Sequence, residues 1–136
     1  MSLLVDTSAW SLALRRDAAS SAPEVRSLRK ALEGGESVVS TGLILQELLQ
    51  GFAGPRARKD IIDRFSALPF LVPDRQDHID AAELRNRCRR AGIQVATIDA
   101  LLAQLCIRHQ LTLLTTDMDF VRAALHCPLR VWKPDG

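Results

Sequence analysis

The chain of 136 residues has little cysteine, and the three that it has are an odd number at wide spacing: Cys88, Cys106 and Cys127. Neither a disulfide framework nor a paired Cys-x-x-Cys metal motif is therefore present. Such cysteine usage is typical of a reducing compartment, so we expect a cytoplasmic protein. No stretch of 18 uncharged apolar residues occurs, and we expect no membrane-spanning helix and no membrane partner. The first residues, MSLLVDTSAW, carry no basic leader, which argues against a signal peptide.

Lysine is also scarce, with three residues against 15 arginines, and the net charge is only +2. This balance neither requires nor excludes a nucleic-acid partner, although arginine is well suited to forked contacts with phosphate. Repeats, low-complexity tracts and long linkers are missing from the sequence. With 47% hydrophobic and 25% charged residues, the composition excludes a disordered chain or a fibre. The length predicts a single domain over residues 1–136.

Short apolar runs separated by helical segments dominate the chain. The runs predict strands at Leu3–Val5, Ser37–Val39, Phe70–Val72, Leu111–Leu114 and Leu129–Trp132. Capping residues, prolines and glycines predict helices between them, such as one that is opened by Asp74 and another that begins at Thr97. This alternation predicts an α/β fold, with a Rossmann-like parallel sheet of four to five short strands and helices on both faces. Sites in such sheets form beyond the carboxyl ends of the strands.

The most informative feature is the position of isolated acids in apolar segments. Asp6 is the single charged residue in 1–14, Glu47 in 37–55 and Asp99 in 91–107. Asp6 directly follows the first predicted strand, and Asp117 lies just after the fourth. Burial of an unpaired carboxylate is unfavourable, so each acid needs an explanation.

Each acid also has a purely structural explanation. Asp6 could cap a helix, and Asp99 could be favoured by a helix dipole, typically by ~0.3–1 kcal/mol. Asp117 and Asp119 could serve in a turn or a cap. Glu47 would face solvent if its helix buried the opposite stripe, which contains Leu45, Leu49 and Phe52.

The four acids Asp6, Glu47, Asp99 and Asp117 are less easily explained as a group. If the strand ends bring them together, two carboxylates ~4 Å apart repel by about 4 kcal/mol at an effective dielectric constant of 20. A cluster then needs a compensating cation. Oxygen ligands without a nearby Cys or His favour Mg²⁺ or Mn²⁺ over Zn²⁺. The residues themselves thus lead to a candidate acidic metal site for phosphoryl chemistry.

Four segments in order resemble the PIN-domain ribonucleases, and especially the VapC-type toxins of type II toxin–antitoxin pairs. LLVDTSAW at 3–10 is similar to the opening strand with the first acid, and STGLILQELLQG at 40–51 to the helix with an internal Glu. ATIDALLAQLC at 96–106 is similar to the segment with the third acid, and LLTTDMDF at 113–120 to the T-x-D-x-D-F motif.

The resemblance implies metal-dependent hydrolysis of RNA phosphodiesters that leaves a 5′-phosphate and a 3′-hydroxyl. It assigns catalytic roles to the four acids, with Asp6 and Asp99 as the expected ligands of Mg²⁺ or Mn²⁺, and Glu47 and Asp117 completing the shell or orienting water. Asp119 matches a less constant acid, for which we expect a capping role at the last helix. Hydroxyl and polar groups that could hold the ligating carboxylates are Thr7, Ser8 and Thr116.

The RNA substrate requires basic side chains around an acidic pocket. Arg15 and Arg16 are close to the predicted site in sequence and are the preferred candidates for phosphate contact. The densest basic segment comprises Arg85, Arg87, Arg89 and Arg90. It is more simply interpreted as a solvated helix face with pairs such as Glu83 with Arg87. The resemblance also implies a homodimer and a small antitoxin partner.

Three alternatives remain open at this stage. A receiver-like α/β signalling domain would need a lysine after a late strand, whereas the lysines are Lys30, Lys59 and Lys133. A non-catalytic PIN-fold RNA-processing subunit would keep the fold without using the metal. A DNA-directed nuclease would use the same acids on another substrate.

Overall fold

The computed structural model describes residues 1–15 and 22–134, which form five strands and seven helices. The strands are β1 (Leu3–Val5), β2 (Val38–Thr41), β3 (Phe70–Leu71), β4 (Thr112–Leu114) and β5 (Arg130–Val131). The helices are α1 (Thr7–Leu14), α2 (Pro23–Glu33), α3 (Gly42–Gly51), α4 (Pro55–Phe65), α5 (Arg75–Arg90), α6 (Thr97–His109) and α7 (Met118–Ala123).

The strands form one parallel sheet in the order β3-β2-β1-β4-β5. This confirms the predicted α/β fold with a five-stranded parallel sheet. The chain moves outward from β1 to β3, then returns across the sheet to β4 and β5. Because crossovers between parallel strands are right-handed, these two directions place α1–α4 on one face and α5–α7 on the other.

Central strand β1 fixes the position of the site. Leu3, Leu4 and Val5 are buried, and the strand pairs with both β2 and β4. In the register, Leu4 pairs with Val39, and Val5 pairs with Leu114. The residues that follow these strands therefore meet at one edge, the carboxyl edge of the sheet.

Helix boundaries follow the capping chemistry of the sequence. Asp74 caps α5 and forms a reciprocal capping box with Asp77, as its helix-start position predicted. Helix α6 ends at His109, and its C-cap Gln110 adopts a left-handed conformation with φ of 56°. The strand bounds differ slightly from the sequence prediction: β2 runs from Val38 to Thr41 instead of from Ser37 to Val39, and β3, β4 and β5 are each one or two residues shorter than predicted.

The core lies on both sides of the sheet. On the face covered by α1–α4, the buried Trp10 ring packs on Phe65 with their centroids 4.9 Å apart. On the other face, α5 packs along α6 through residues such as Leu84, Cys88 and Leu102. Within the part of the chain that the structure describes, no helix has the length and hydropathy needed to cross a membrane.

Candidate active site

Asp6 forms the base of the site at the end of β1. Its side chain is 4% exposed, and its Oδ1 accepts hydrogen bonds from the Ser8 hydroxyl at 2.7 Å and from the Ala9 N–H at 3.0 Å. Its Oδ2 accepts one hydrogen bond from the Thr115 hydroxyl at 2.5 Å. A carboxylate has about four lone-pair sites, so these three bonds leave one on Oδ2 for a further partner.

The capping role proposed for Asp6 is present, because it is the N-cap of α1 and accepts the Ala9 N–H. Capping does not account for its other contacts, however. Burial raises the pKa of Asp6, while the hydrogen bonds from Thr115 and Ser8 lower it. The hydrogen bonds therefore offset only part of the free-energy cost of burying this carboxylate.

Two hydroxyls hold the carboxyl end of β4 against Asp6. Besides donating to Asp6, the Thr115 Oγ1 accepts the Asp117 N–H at 2.9 Å. The Ser8 Oγ accepts the Thr116 N–H at 3.0 Å. Thr116 thus contributes through its backbone, whereas its exposed side chain makes none of these contacts. The hydroxyl that reaches Asp6 belongs to Thr115 instead.

The second acid, Glu47, is half-buried on α3. Its Oε1 accepts a hydrogen bond from the Thr7 hydroxyl at 2.7 Å, so α3 is joined to the first residue of α1. The apolar face of α3 is formed by the buried Ile44 and Leu48. Glu47 therefore points along the sheet edge toward the end of β1, and the structure does not support the alternative of a fully solvent-facing side chain.

Asp99 lies in the first turn of α6, across the sheet from Glu47. Burial and the negative charges of Asp117, Asp6 and Glu47, in that order, raise the pKa of Asp99 to about 6. Three acids from other elements thus act electrostatically on Asp99, and the metal pocket expected of the four stays a prediction. Burial and this repulsion disfavour the ionised form of Asp99.

The donor set fits a hard divalent cation. The atoms that could serve as ligands are carboxylate and hydroxyl oxygens, and the carboxylates give the site a negative charge. Among residues 1–15 and 22–134, no three Asp, Glu, His or Cys side chains are arranged to hold a metal ion by themselves. Mg²⁺ commonly binds one or two carboxylates and completes its shell with water and substrate phosphate, so two protein ligands are sufficient.

The structure corrects the role expected for Asp119. Helix α7 is capped by Asp117, whose Oδ1 accepts the Asp119 N–H at 2.9 Å. Asp119 is exposed in the first turn of α7 and pairs with Arg122 at 3.0 Å. Asp117 takes the cap because it directly precedes the helix in an extended conformation, which is the backbone geometry that capping requires.

Of the two arginines expected near the site, Arg15 and Arg16, the structure describes only Arg15. Arg15 is exposed at the far end of α1, about 12 Å along the helix axis from Asp6. Arg16 lies outside the described residues. Contact of either side chain with phosphate stays a prediction.

Thr115 is the functional residue that the sequence analysis missed. Its signal is positional: Val5 pairs with Leu114, so the next residue on each strand, Asp6 and Thr115, must be neighbours. That register becomes visible only when the two strands are known to pair. Without it, Thr115 and Thr116 are equivalent candidates.

Taken together, the parallel sheet and the acids at its carboxyl edge define a class: α/β domains with a carboxylate site for a divalent cation. The PIN domain family model matches residues 3–125. The chain belongs to this family.

Curated relatives support the same assignment. The chain is 34% identical over 120 residues to ribonuclease VapC11 of Mycobacterium tuberculosis, and the match covers 87% of this chain and 88% of the relative. A VapC ribonuclease of Mycobacterium bovis matches with the same identity and coverage.

Solved structures confirm the fold. VapBC2 of Rickettsia felis, bound to a DNA fragment from its promoter, superposes with a TM-score of 0.75 at 19% identity and covers 99% of this chain and all of that one. VapC20 of Mycobacterium tuberculosis, a toxin that cleaves the sarcin-ricin loop, has a TM-score of 0.68 at 20% identity. Its alignment covers 95% of this chain and 99% of that one.

Proposed function

We propose that this protein is a metal-dependent endoribonuclease and the toxin of a toxin–antitoxin pair. The observation that carries the proposal is the position of Asp99 at the carboxyl edge of the sheet, where its burial and the negative charges of Asp117, Asp6 and Glu47 raise its pKa to about 6. Support for RNA as the substrate comes from the VapC ribonucleases that are 34% identical over 120 residues. Membership of the PIN family argues against the receiver-like alternative.

In this proposal, Asp6 and Asp99 hold Mg²⁺ or Mn²⁺, which supplies positive charge to the phosphoryl oxygens and lowers the pKa of water. Asp6 is oriented by Ser8, Ala9 and Thr115, which leave one lone-pair site on Oδ2 free. As a carboxylate, Asp99 would bind this cation together with Asp6, and the positive charge would offset the charge of the neighbouring carboxylates.

The other two acids orient the attacking water. Thr7 fixes the Oε1 of Glu47, and the Asp119 N–H fixes the Oδ1 of Asp117, so each acid retains a second oxygen to accept a proton from water. Attack of the water oxygen on phosphorus breaks the P–O3′ bond while one of these acids takes the proton of the water, and the leaving O3′ takes up a proton from the solvent. The products are then a 5′-phosphate on one fragment and a 3′-hydroxyl on the other.

The test is cleavage of total RNA by the purified chain with Mg²⁺, with Mn²⁺ or with a chelator. We expect cleavage with metal, and its loss in both Asp6→Asn and Asp99→Asn. The matched control is Asp60→Asn, an exposed acid on α4 away from the site. Full cleavage by a folded Asp99→Asn variant would contradict the roles assigned here, and cleavage of DNA in preference to RNA would favour the alternative substrate. No cleavage under any condition would favour the non-catalytic alternative.

The partners proposed are an antitoxin protein and a second copy of this chain. The antitoxin is supported by the solved relatives from Rickettsia felis and Salmonella typhimurium, which are DNA-bound VapBC assemblies. Light scattering of the purified chain tests the homodimer, and a mass of 15.0 kDa would contradict it. The single domain over residues 1–136 and the cytoplasmic location are part of the same proposal.

A further inference from the structure

The arginine-rich end of α5 lies at the same edge of the sheet as the four acids. Two contacts fix the direction of α5 against α6. Arg108, near the end of α6, pairs with Asp77 and Asp74 at the start of α5. At the opposite end, the Nε of Arg85 donates to the Val95 carbonyl at 2.8 Å, just before α6 begins.

The two helices are therefore antiparallel, and the end of α5 adjoins the start of α6. Asp99 is in that first turn of α6, where the negative charges of Asp117, Asp6 and Glu47 help to raise its pKa. The end of α5 consequently flanks the acidic site. The remaining arginines in this segment are Arg87, Arg89 and Arg90, which we call the α5 arginine cluster.

The α5 arginine cluster is not used by the fold. All three side chains are exposed, and none forms a salt bridge or side-chain hydrogen bond with residues 1–15 or 22–134. The expected pair between Glu83 and Arg87 is not formed. A stabilising surface role through intrahelical pairing therefore does not account for the cluster.

Helix capping does not account for the cluster either. The last carbonyls of α5 are already bonded by backbone N–H groups: Ala91 donates to Arg87 and Cys88, and Gly92 donates to Arg89. Gly92 has φ of 83°, the conformation that ends the helix without a side chain. An interaction with the helix dipole remains, typically about 0.3–1 kcal/mol for a charge at a helix end.

We propose that the α5 arginine cluster binds the phosphate backbone of the RNA next to the scissile bond. This rests on the proposed ribonuclease function. An RNA strand must lie against a pocket of four acids that repels it, so binding requires positive charge on the flank. Arg85 and Arg89 lie on one face at i and i+4, so Arg89 extends beyond the Arg85–Val95 contact over the turn into α6.

The test measures binding of a fluorescein-labelled single-stranded RNA to the full chain by anisotropy. All proteins carry Asp99→Asn, which prevents cleavage in the proposed mechanism. The cluster variant is R87Q/R89Q/R90Q. The matched control, R29Q/K30Q/K133Q, removes three exposed charges, of which Lys30 and Lys133 line cavities beside Met1 near the amino ends of the strands.

We expect the cluster variant to bind at least about tenfold more weakly at low salt, and the slope of log Kd against log salt to fall by about 2. The control variant should stay within about threefold, with an unchanged slope. R87K/R89K/R90K keeps the charge and should retain most of the slope, which separates phosphate binding from a structural effect. Thermal unfolding verifies that each variant is folded.

The same variants are also titrated with poly-glutamate, an anionic polymer without phosphate. Unchanged RNA binding by the cluster variant, or an equal loss in the control variant, would overturn the inference. A cluster variant that loses affinity for poly-glutamate but not for RNA would overturn it as well. The last would assign the cluster to an acidic protein partner. If the wild-type chain cleaves RNA while any of these holds, only the inference fails. If it neither binds nor cleaves RNA, the proposed function itself fails.

Discussion

At the scale of single residues, Asp99 shows how burial and the repulsion between neighbouring carboxylates change the pKa of an acid. Its pKa of about 6 in the folded protein, against an ordinary value of 3.8, means that the folded state binds a proton more tightly than the unfolded state. Stability from this group is thus fully present below pH 4 and is lost as the pH rises to about 6. A carboxylate that destabilises the fold in this way is typical of a functional position.

We therefore predict that Asp99→Asn stabilises the metal-free protein. Near pH 4 both proteins should be equally stable, and by pH 7 the variant should be more stable by roughly 1 kcal/mol, a value reduced for the partial exposure of the group. Thermal unfolding in chelator across this pH range provides the measurement. Asp60→Asn serves as control, and a variant less stable than wild type at pH 7 would contradict the prediction.

Thr115 supports a second prediction at this scale. Thr115→Val removes the hydroxyl that bonds Asp6 but keeps the shape of the side chain, and we expect RNA cleavage to fall by about 10–100-fold. Thr115→Ser should restore it, and Thr116→Val should leave it unchanged because the Thr116 side chain is exposed. Initial rates with saturating metal test this. Equal losses at both threonines would refute the assignment.

At this scale the sequence indicated the acids as candidates but gave no sign of the groups that bond them. Asp6, Glu47 and Asp99 are recognisable because each is the single charge in an apolar segment. The Thr115 hydroxyl has no such signal, because a threonine after a strand is ordinary in any loop. Its contact with Asp6 depends on the register between strands that lie 109 residues apart.

At the scale of elements, the antiparallel pair α5 and α6 is joined at one end by a partly buried ion pair. Asp77 is 1% exposed, and its Oδ2 contacts the Nη1 of Arg108 at 2.5 Å. Removal of the arginine would leave the buried carboxylate with only the capping contact to the Asp74 N–H. Loss of one partner of a buried pair is more costly than loss of an exposed one.

We predict that Arg108→Met lowers the free energy of unfolding by about 1–3 kcal/mol, since Arg108 itself is partly exposed. Lys59→Met is the matched control. It breaks the exposed pair with Asp63, at 2.7 Å, and should have a much smaller effect, because solvent screens the pair. Urea unfolding at pH 7 measures both, and equal effects would show that burial of Asp77 does not matter.

The elements themselves were largely predictable, because their signals are local. Asp74 marks the start of α5, and Pro23 and Pro55 mark the starts of α2 and α4. The partner of Asp77 was not predictable, since Arg108 is 31 residues away and its position depends on how α5 packs on α6. The capping of α7 was misassigned because Asp117 and Asp119 both precede Phe120 closely.

At the scale of the whole molecule, the sheet makes the two halves of the chain interdependent. Strand β1 is paired on one side with β2 and on the other with β4, so both halves share one strand. The alternation of strands and helices predicted a parallel sheet, but the strand order could not be read from local patterns. It is set by pairings between distant segments.

We expect the molecule to unfold in a single cooperative transition. In Trp132→Phe, the fluorescence reports on Trp10 in α1, whereas far-UV circular dichroism reports on all helices, including α5 and α6 on the other face. The two probes should give the same midpoint in urea. Separate midpoints would show that the two faces unfold independently and would contradict the single domain proposed.

The pairing of β1 with β4 also has a consequence for synthesis of the protein. Asp6 is made more than a hundred residues before Thr115, whose hydroxyl bonds it, and before Asp117, whose N–H bonds Thr115. A nascent chain therefore carries an incomplete candidate site until this later segment has been made. In the proposed toxin, the ribosome and the messenger that encode it would be spared until the last strands of the sheet are released.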